Sequence, residues 1–461
     1  MKEFHTYTLP NGIRGIHRQV RGNVAHCALV VGAGTRDELK SEYGLAHFAE
    51  HAFFKGTQRR RAYQVNCRLE NLGGELNAYT TKEDTTLHAT VLRGDFAKAV
   101  ELLADVAFRS TFPERELERE REVIFDEINT YKDSPADRIY DDFEDLLFAG
   151  SALGHNILGS KTALARYHSE HIHAFVRRTH TTDQMVFSSI GNIAPRRIEA
   201  IAARYFADMP ATVRSFCRTA PAPVAPFERS IARHTHQSHC IVGARAYGIL
   251  DPKRLPLALL VNMLGGPSAN SMLNVTVREK HGLSYSIEGS YTPYGDAGIV
   301  AIYFSSDHDN CDRCLELVRG QIDSLRTRRL STRRLRNSSS HSWQSRWRAT
   351  RATCSVPARA IWYTARWTRW RRSTAKSATC RPGSCWRLPT KCSPRLRYSF
   401  TDDGRTRKIH RQPLHARIGT AAGARSRDPH ADDPAADALG THPGKTARNV
   451  RADAPSAQHP R

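Results

Sequence analysis

Apolar and polar positions near the start of the chain alternate with the two-residue period of a β-strand. Alternation on both sides of Asn11-Gly12 predicts a hairpin over residues 4–19, because this dipeptide favours the left-handed conformation of a tight turn. The same period predicts further strands, at Val24–Gly32, near 75–92 and at Gln184–Ile190. The helical period predicts helices, at about 42–54, 95–109, 114–132 (with more helix to about 148) and 195–206. This mixture indicates an α+β fold.

The order of elements starts again after a proline-rich break. Residues 219–226 alternate proline with small residues and are typical of an extended linker. Beyond them the periodicity predicts strands at 239–247, 284–292 and 297–305, and helices at 254–264 and 309–326. We therefore predict two related α+β halves. The expected limits are 1–215 for the first domain, 216–228 for the linker, 229–327 for a partial second domain and 328–461 for a tail.

The composition changes abruptly near residue 326. Residues 1–325 hold 38 Lys and Arg against 39 Asp and Glu, although the whole chain carries a net charge of +23. Residues 326–461 hold 31 basic and 7 acidic residues, no glutamate and all six tryptophans of the chain. Neither a helical nor a strand period persists there. The basic balance therefore belongs to the tail, and the first part has an ordinary globular composition.

Two histidines and a glutamate share one face of the helix predicted at about 42–54. His47 and His51 are four residues apart, so their side chains lie one above the other, and Glu50 joins the same patch. Two neutral imidazoles can hold one zinc ion and leave the carboxylate beside an open coordination position, where it can act as a general base. This His-x-x-Glu-His order inverts a commoner zinc signature. The same spacing also fits an ordinary half-buried surface pair of helical histidines.

The acidic helix predicted at 114–132 offers a third ligand. Its apolar residues indicate partial burial, and Glu120 and Glu127 lie two turns apart on one side. One interpretation is a solvated charged helix. The other is a His-His-Glu metal site with an open fourth position, which explains the histidines and the acidic helix together.

The chain resembles the insulinase/pitrilysin family of zinc peptidases, and within it the branch of short subunits that includes the mitochondrial processing peptidases. The resemblance covers about residues 4–327. It rests on three segments, Gly44–Thr57 around the histidines, Gly73–Thr80 and Arg278–Tyr285. A fourth segment, Gly154–Gly159, matches only loosely and implies no catalytic role.

The resemblance implies a metal site and a catalytic base. One zinc ion per chain would be held by His47, His51 and Glu127, with Glu50 as the base. Glu120 would orient a ligand histidine. The expected activity is that of a zinc metalloendopeptidase.

The resemblance also implies contacts with a peptide substrate. Asn77 and Ala78 would lie on an edge strand that can pair with an extended peptide, although Asn77 also suits an ordinary polar position beside a turn. Arg278 and Tyr285 would approach the scissile bond, where a guanidinium and a phenol can stabilise developing negative charge. Alternatively, they simply end a helix and begin a core strand.

Peptides or unfolded protein segments are the expected substrates, cleaved by a homodimer or by a heterodimer with a related subunit. We expect a cytoplasmic location without a membrane partner, because we find no signal peptide, no membrane-spanning apolar stretch and only scattered cysteines. A non-proteolytic assembly subunit of the same fold is an alternative. Nucleic acid is expected as a partner only if the tail is genuine.

Two interpretations of the tail stay open. A basic segment with interleaved aromatic residues is typical of an arm that binds nucleic acid. We favour a shifted reading frame with its break between about Arg326 and Leu335, because possible codons for residues 360–370, with arginine as CGN, are compatible with a family-like helix and turn when read two bases out of phase. As written, the segment is predicted to be disordered and to leave the second domain without the helices and the closing strand of its first-half counterpart. Sequencing codons 320–345 of the gene distinguishes the two.

Overall fold

The first half is built on a mixed sheet of six strands. The computed structural model describes residues 4–327 and the backbone of Arg395–Ser399. The strands of this sheet are β1 (His5–Thr8), β2 (Arg14–Gln19), β3 (Val24–Val31), β4 (Glu75–Thr80), β5 (Thr85–Leu92) and β6 (Met185–Gly191). Their order is β1-β2-β6-β3-β5-β4, in which β2 and β6 run parallel. Strand β4 therefore forms one edge.

All but one of the helices of the first half join this sheet through one contiguous core, and the exception, Pro135–Leu147, packs its buried side chains against residues of the second half. The helices of the first half are α1 (Leu45–Ala52), α2 (Ala62–Glu70), α3 (Phe96–Arg109), α4 (Glu114–Asp133), α5 (Pro135–Leu147), α6 (Lys161–Leu164), α7 (Ser169–Thr179) and α8 (Pro195–Phe206). Helix α3 packs against β3 and β5, and α8 packs against α3 and β2. The buried side chains of the core run from Leu9 to Phe206.

Glycine and proline set several boundaries. Gly12 has a φ of +93° in the predicted hairpin turn, a conformation that costs glycine little. Gly44 also has a φ of +93°, so α1 begins at Leu45 and not near residue 42 as predicted. Helices α5 and α8 begin with Pro135 and Pro195, whose fixed φ suits a first helical position.

The second half contains a five-stranded sheet. Its strands are β7 (Glu228–Ala232), β8 (Ser238–Ala246), β9 (Ile287–Pro293), β10 (Gly298–Ser306) and β11 (Arg395–Ser399). Its helices are α9 (Arg254–Gly265) and α10 (Cys311–Thr327), with a π-helical segment at Asn274–Glu279. Residues 207–227 contain no helix or strand, and they include the predicted linker 216–228 except for its last residue, Glu228, which begins β7. The exact domain limits stay a prediction.

The two sheets have the same topology. The strand order β2-β6-β3-β5-β4 of the first sheet corresponds to β7-β11-β8-β10-β9 of the second. The parallel pair β2–β6 has its counterpart in β7–β11, and the antiparallel pair β3–β6 has its counterpart in β8–β11. The predicted α+β fold of two related halves is therefore confirmed.

The predictions for the tail fall mostly outside the described residues. Its one described segment, Arg395–Ser399, lies between β7 and β8, where the sequence predicts that the second sheet has no closing strand. A strand can join a sheet through its backbone N–H and C=O groups alone, without a regular apolar pattern. This explains why the hydrophobic periodicity did not reveal it.

Two other expectations concern membranes and cysteines. Within the part of the chain that the structure describes, no helix is long and apolar enough to cross a membrane. The cysteines of that part are free thiols: Cys27, Cys67, Cys217, Cys240, Cys311 and Cys314.

A buried charge network ties the first half to the β9–β10 turn. Arg36 donates to Glu83 at 2.5 Å and to both carboxylate oxygens of Asp296 at 2.8 and 2.7 Å. The side chains of Arg36 and Glu83 are only 2% and 3% exposed. The backbone N–H of Gly295 in the same turn also donates to Glu83, at 2.7 Å. Arg36 therefore connects residues 260 positions apart in the chain.

Replacing Arg36 with alanine is expected to destabilise the protein strongly. The change removes the guanidinium nearest to the buried Glu83 carboxylate and leaves it the longer 3.6 Å ion pair with Arg218, and breaking a buried pair from one side costs about 3–5 kcal/mol. Denaturant unfolding measures this difference. Arg119→Ala is the control, because its pair with Glu116 is solvent-exposed and such pairs contribute about 0–1 kcal/mol. Equal losses for the two variants would contradict the role given to Arg36.

Candidate metal centre

Helix α1 places both histidine rings on its inner side. His47 is buried, and its ring centroid lies 4.6 Å from that of His51. The apolar neighbours Phe48, Ala49 and Ala52 are fully buried in the core and fix the rotation of the helix. Burial, followed by the neighbouring His51, lowers the pKa of His47 to about 3. The ring is therefore neutral at physiological pH, which is the form that binds a metal.

Glu127 on α4 faces both histidines. Its Oε2 atom lies 3.7 Å from Nε2 of His47 and 3.7 Å from Nε2 of His51. One ligand atom from each of the three residues lies within 4.8 Å of the others. Two ligands at normal zinc distances in a tetrahedral site are about 3.4 Å apart, so these residues fit one zinc ion with little adjustment.

Glu120 lies two turns before Glu127 on α4 and contacts His51 of the cluster. Its Oε1 accepts a 2.9 Å hydrogen bond from Nδ1 of His51, and its other oxygen forms an ion pair with Lys55. A proton held on Nδ1 leaves the Nε2 lone pair of His51 facing Glu127. Burial raises the pKa of Glu120, but the bonds from His51 and Lys55 outweigh it, so the pKa is lowered and the carboxylate stays charged.

Glu50 lies on the same helix beside the cluster. Burial is the main cause that raises its pKa, and the carboxyl of Glu127 raises it further. The neighbouring His51, followed by Thr80, opposes this rise by favouring the charged form of the Glu50 carboxyl. Several half-buried carboxylates thus surround two histidines, an arrangement whose negative charge a divalent cation would balance.

The predicted substrate strand is an edge strand. Asn77 is exposed and Ala78 is half-buried in β4, which packs against α1. In the described sheet β4 pairs with β5 and has no strand on its other side. The Asn77 side chain accepts a 2.8 Å hydrogen bond from the Ala78 N–H. An unpaired strand edge therefore lies next to α1, the helix that carries His47 and His51.

The structure brings Arg278 and Tyr285 together on the second half. The Arg278 guanidinium lies over the Tyr285 ring, 4.7 Å from its centroid, and the tyrosine is 79% exposed. Within the described chain neither side chain is hydrogen-bonded to a residue of the metal cluster. Their approach to a substrate stays a prediction.

The residues that contact the N-terminus of α1 were not identified from the sequence. Glu38, Tyr43 and His155 pack at the N-terminus of α1. The loosely matching segment Gly154–Gly159 was the only signal in the sequence that pointed to this region. A buried acid in an irregular segment gives no periodic signal, so Glu38 had none.

The fold and this cluster define a two-halved metallopeptidase. The family model of insulinase (peptidase family M16) matches residues 17–161, and that of the peptidase M16 inactive domain matches residues 168–337. The chain belongs to this family, and it is a peptidase whose cofactor is zinc. The second match ends at 337, close to the interval in which the sequence predicts the frame to change.

Similar proteins carry consistent names. An uncharacterized zinc protease of Bacillus subtilis is 31% identical and aligns over 72% of this chain and 81% of its own length. One from Rickettsia bellii is also 31% identical, over 70% of this chain and 79% of its own. A peptidase M16 inactive domain from Pseudomonas fluorescens has a TM-score of 0.79 at 18% identity, covering 87% of this chain and 98% of that one. A protease from Helicobacter pylori also has a TM-score of 0.79, at 15% identity, covering 87% of this chain and 100% of that one.

Proposed function

We propose that the chain is a zinc metalloendopeptidase in which His47, His51 and Glu127 hold the metal. One observation carries the proposal: ligand atoms of these residues, from two helices, converge within 4.8 Å. A solvated acidic helix, the alternative interpretation of α4, would not need to turn Glu127 toward two histidines.

Glu50 is the base in this proposal. When bound, zinc would supply a Lewis acid that activates water and polarises the peptide carbonyl. Glu50 would accept a proton from the attacking water and deliver it to the leaving amine. Glu50 lies on α1 between the two histidines in sequence, on the helix face that they share. Glu120 keeps the His51 ring oriented through its bond to Nδ1.

An extended peptide would bind as an added strand along β4. Backbone pairing with residues around Asn77 and Ala78 would lay the peptide beside α1, and an unfolded segment can adopt this conformation whereas a folded domain cannot. Arg278 and Tyr285 would come from the second half to stabilise the oxyanion of the transition state. Peptides and unfolded protein segments are therefore the proposed substrates.

We further propose a cytoplasmic enzyme that works as a homodimer or with a related subunit. The non-proteolytic alternative is less well supported, because the complete ligand set and base are retained. Binding of nucleic acid would require residues 328–461 to be a genuine arm.

Removal of zinc tests the proposal directly. The purified chain should hold about one zinc ion and cleave an unstructured peptide at internal bonds, identified by mass spectrometry. A chelator should abolish cleavage, and one equivalent of zinc should restore it. Cleavage that continues in metal-free protein, or a chain that binds no zinc, would refute the proposed function.

A further inference from the structure

The N-terminus of α1 contacts a buried side-chain pair, Glu38 and His155. Neither the family match nor the proposed mechanism gives this pair a role. We propose that Glu38 and His155 are positioning residues that hold α1 in the register required for metal binding. The inference deepens the proposed function of this site and rests on it.

Glu38 accepts hydrogen bonds from the first turn of α1. Its Oε1 accepts from the Ala46 N–H at 2.6 Å, and its Oε2 accepts from the Gly44 N–H at 3.1 Å. The Glu38 side chain has no exposed surface. The first N–H groups of a helix have no partner within the helix, so the Glu38 oxygens satisfy two N–H groups at the start of α1. Ala46 directly precedes His47, so a shift here reaches a proposed ligand without an intervening turn.

His155 holds the Glu38 carboxylate in place. Its Nε2 donates to Glu38 Oε2 at 2.7 Å, and its ring stacks on Tyr43 with centroids 3.8 Å apart and planes 3° from parallel. The side chain is 8% exposed. Lys82, in the turn that follows β4, donates to the His155 carbonyl oxygen. The pair therefore links α1 to the loop that carries His155 and to the turn between β4 and β5.

The backbone of the 154–159 loop packs tightly against the residues that precede α1. Gly44 and Gly159 pack directly together, and a Cβ added to Gly159 would lie 2.6 Å from the Tyr43 carbonyl oxygen and 2.7 Å from Gly44 Cα. Tyr167 also donates to the Tyr43 carbonyl oxygen, at 3.1 Å. The 154–159 loop thus fits against the residues that begin α1, which gives the loosely matching segment a physical role.

A metal site tolerates displacements of only about 0.2 Å in its ligand distances. If the Glu38–His155 pair sets the position of His47, then losing it should weaken metal binding more than the loss of an equally buried polar contact elsewhere. Because the pair touches neither substrate nor metal, its loss should lower kcat with little change in KM.

Glu38→Ala and His155→Phe in the full chain test this role. Phenylalanine keeps the stack on Tyr43 and removes the bond to Glu38, so it remains informative if the alanine variant fails to fold. We expect zinc affinity, measured by competition with a chelating dye, to fall by about 10–100-fold in each variant, the range seen when groups that orient ligands are lost. Glu38→Gln keeps one acceptor oxygen and should recover part of the affinity.

Asn11→Ala is the matched control. Asn11 is also buried and donates to the Phe206 and Met209 carbonyl oxygens at 2.7 and 3.1 Å, within the first core but away from α1. It should lower Tm without changing zinc affinity. Zinc affinities of Glu38→Ala and His155→Phe equal to that of the control at similar Tm would overturn the positioning role. A parental chain that binds no zinc would instead refute the proposed function.

Discussion

Replacing Glu50 with glutamine should abolish peptide hydrolysis and leave the zinc content unchanged. Glutamine has the shape of glutamate but cannot take up a proton from water at neutral pH, whereas His47, His51 and Glu127 remain as ligands. A lost general base costs about 10²–10⁴-fold in rate. The measurement compares kcat of the two proteins on an unstructured peptide, with zinc per chain determined on the same samples.

The Glu50 substitution is informative only if it removes the base and leaves both the metal ligands and the fold intact. Glutamine has the same shape as glutamate and needs no new space on α1, so the fold should be unaffected. Glu118→Gln is a suitable control because Glu118 is exposed on α4 and loses the same charge. Parental rates in Glu50→Gln would show that another group activates the water.

The part of the site that the sequence predicted is the part encoded at short range. His47, Glu50 and His51 fall on one helical face by spacing alone, and β4 was expected as an edge strand because the segment resembled one. Glu127 required the acidic helix to approach α1, which spacing cannot show. The assignment of Glu127 as the third ligand therefore came from the family resemblance and not from the spacing.

The features that the sequence could not predict depend on contacts between distant positions. Glu38 and His155 are 117 residues apart, and Arg36 and Asp296 are 260 apart. Such pairs have no period, so no window along the chain reveals them. Helix α2 was missed for another reason: only Val65 and Leu69 are buried in it, too few positions for a helical pattern.

Glutamine substitutions at Glu127 and Glu120 should have clearly different effects on zinc binding. Glu127 faces Nε2 of both histidines, and a neutral amide oxygen is a much weaker zinc ligand than a carboxylate. Glu127→Gln should therefore lose its zinc on dialysis against a mild chelator. Glu120→Gln should keep zinc with about 10–100-fold lower affinity, because the amide oxygen still accepts from His51 but no longer pairs with the charge of Lys55.

The relative loss of zinc affinity in Glu127→Gln and Glu120→Gln distinguishes a metal ligand from a residue that orients a ligand. Glu122→Gln serves as the control, since Glu122 is exposed on the same helix and removes an equal charge. Circular dichroism at matched temperature checks that all three variants keep the helical content of the parent. Equal and negligible losses at Glu127 and Glu120 would show that α4 is a solvated acidic helix without a metal role. A larger loss at Glu120 than at Glu127 would instead make Glu120 the ligand, and would require the His51 ring to turn its Nδ1 toward the metal.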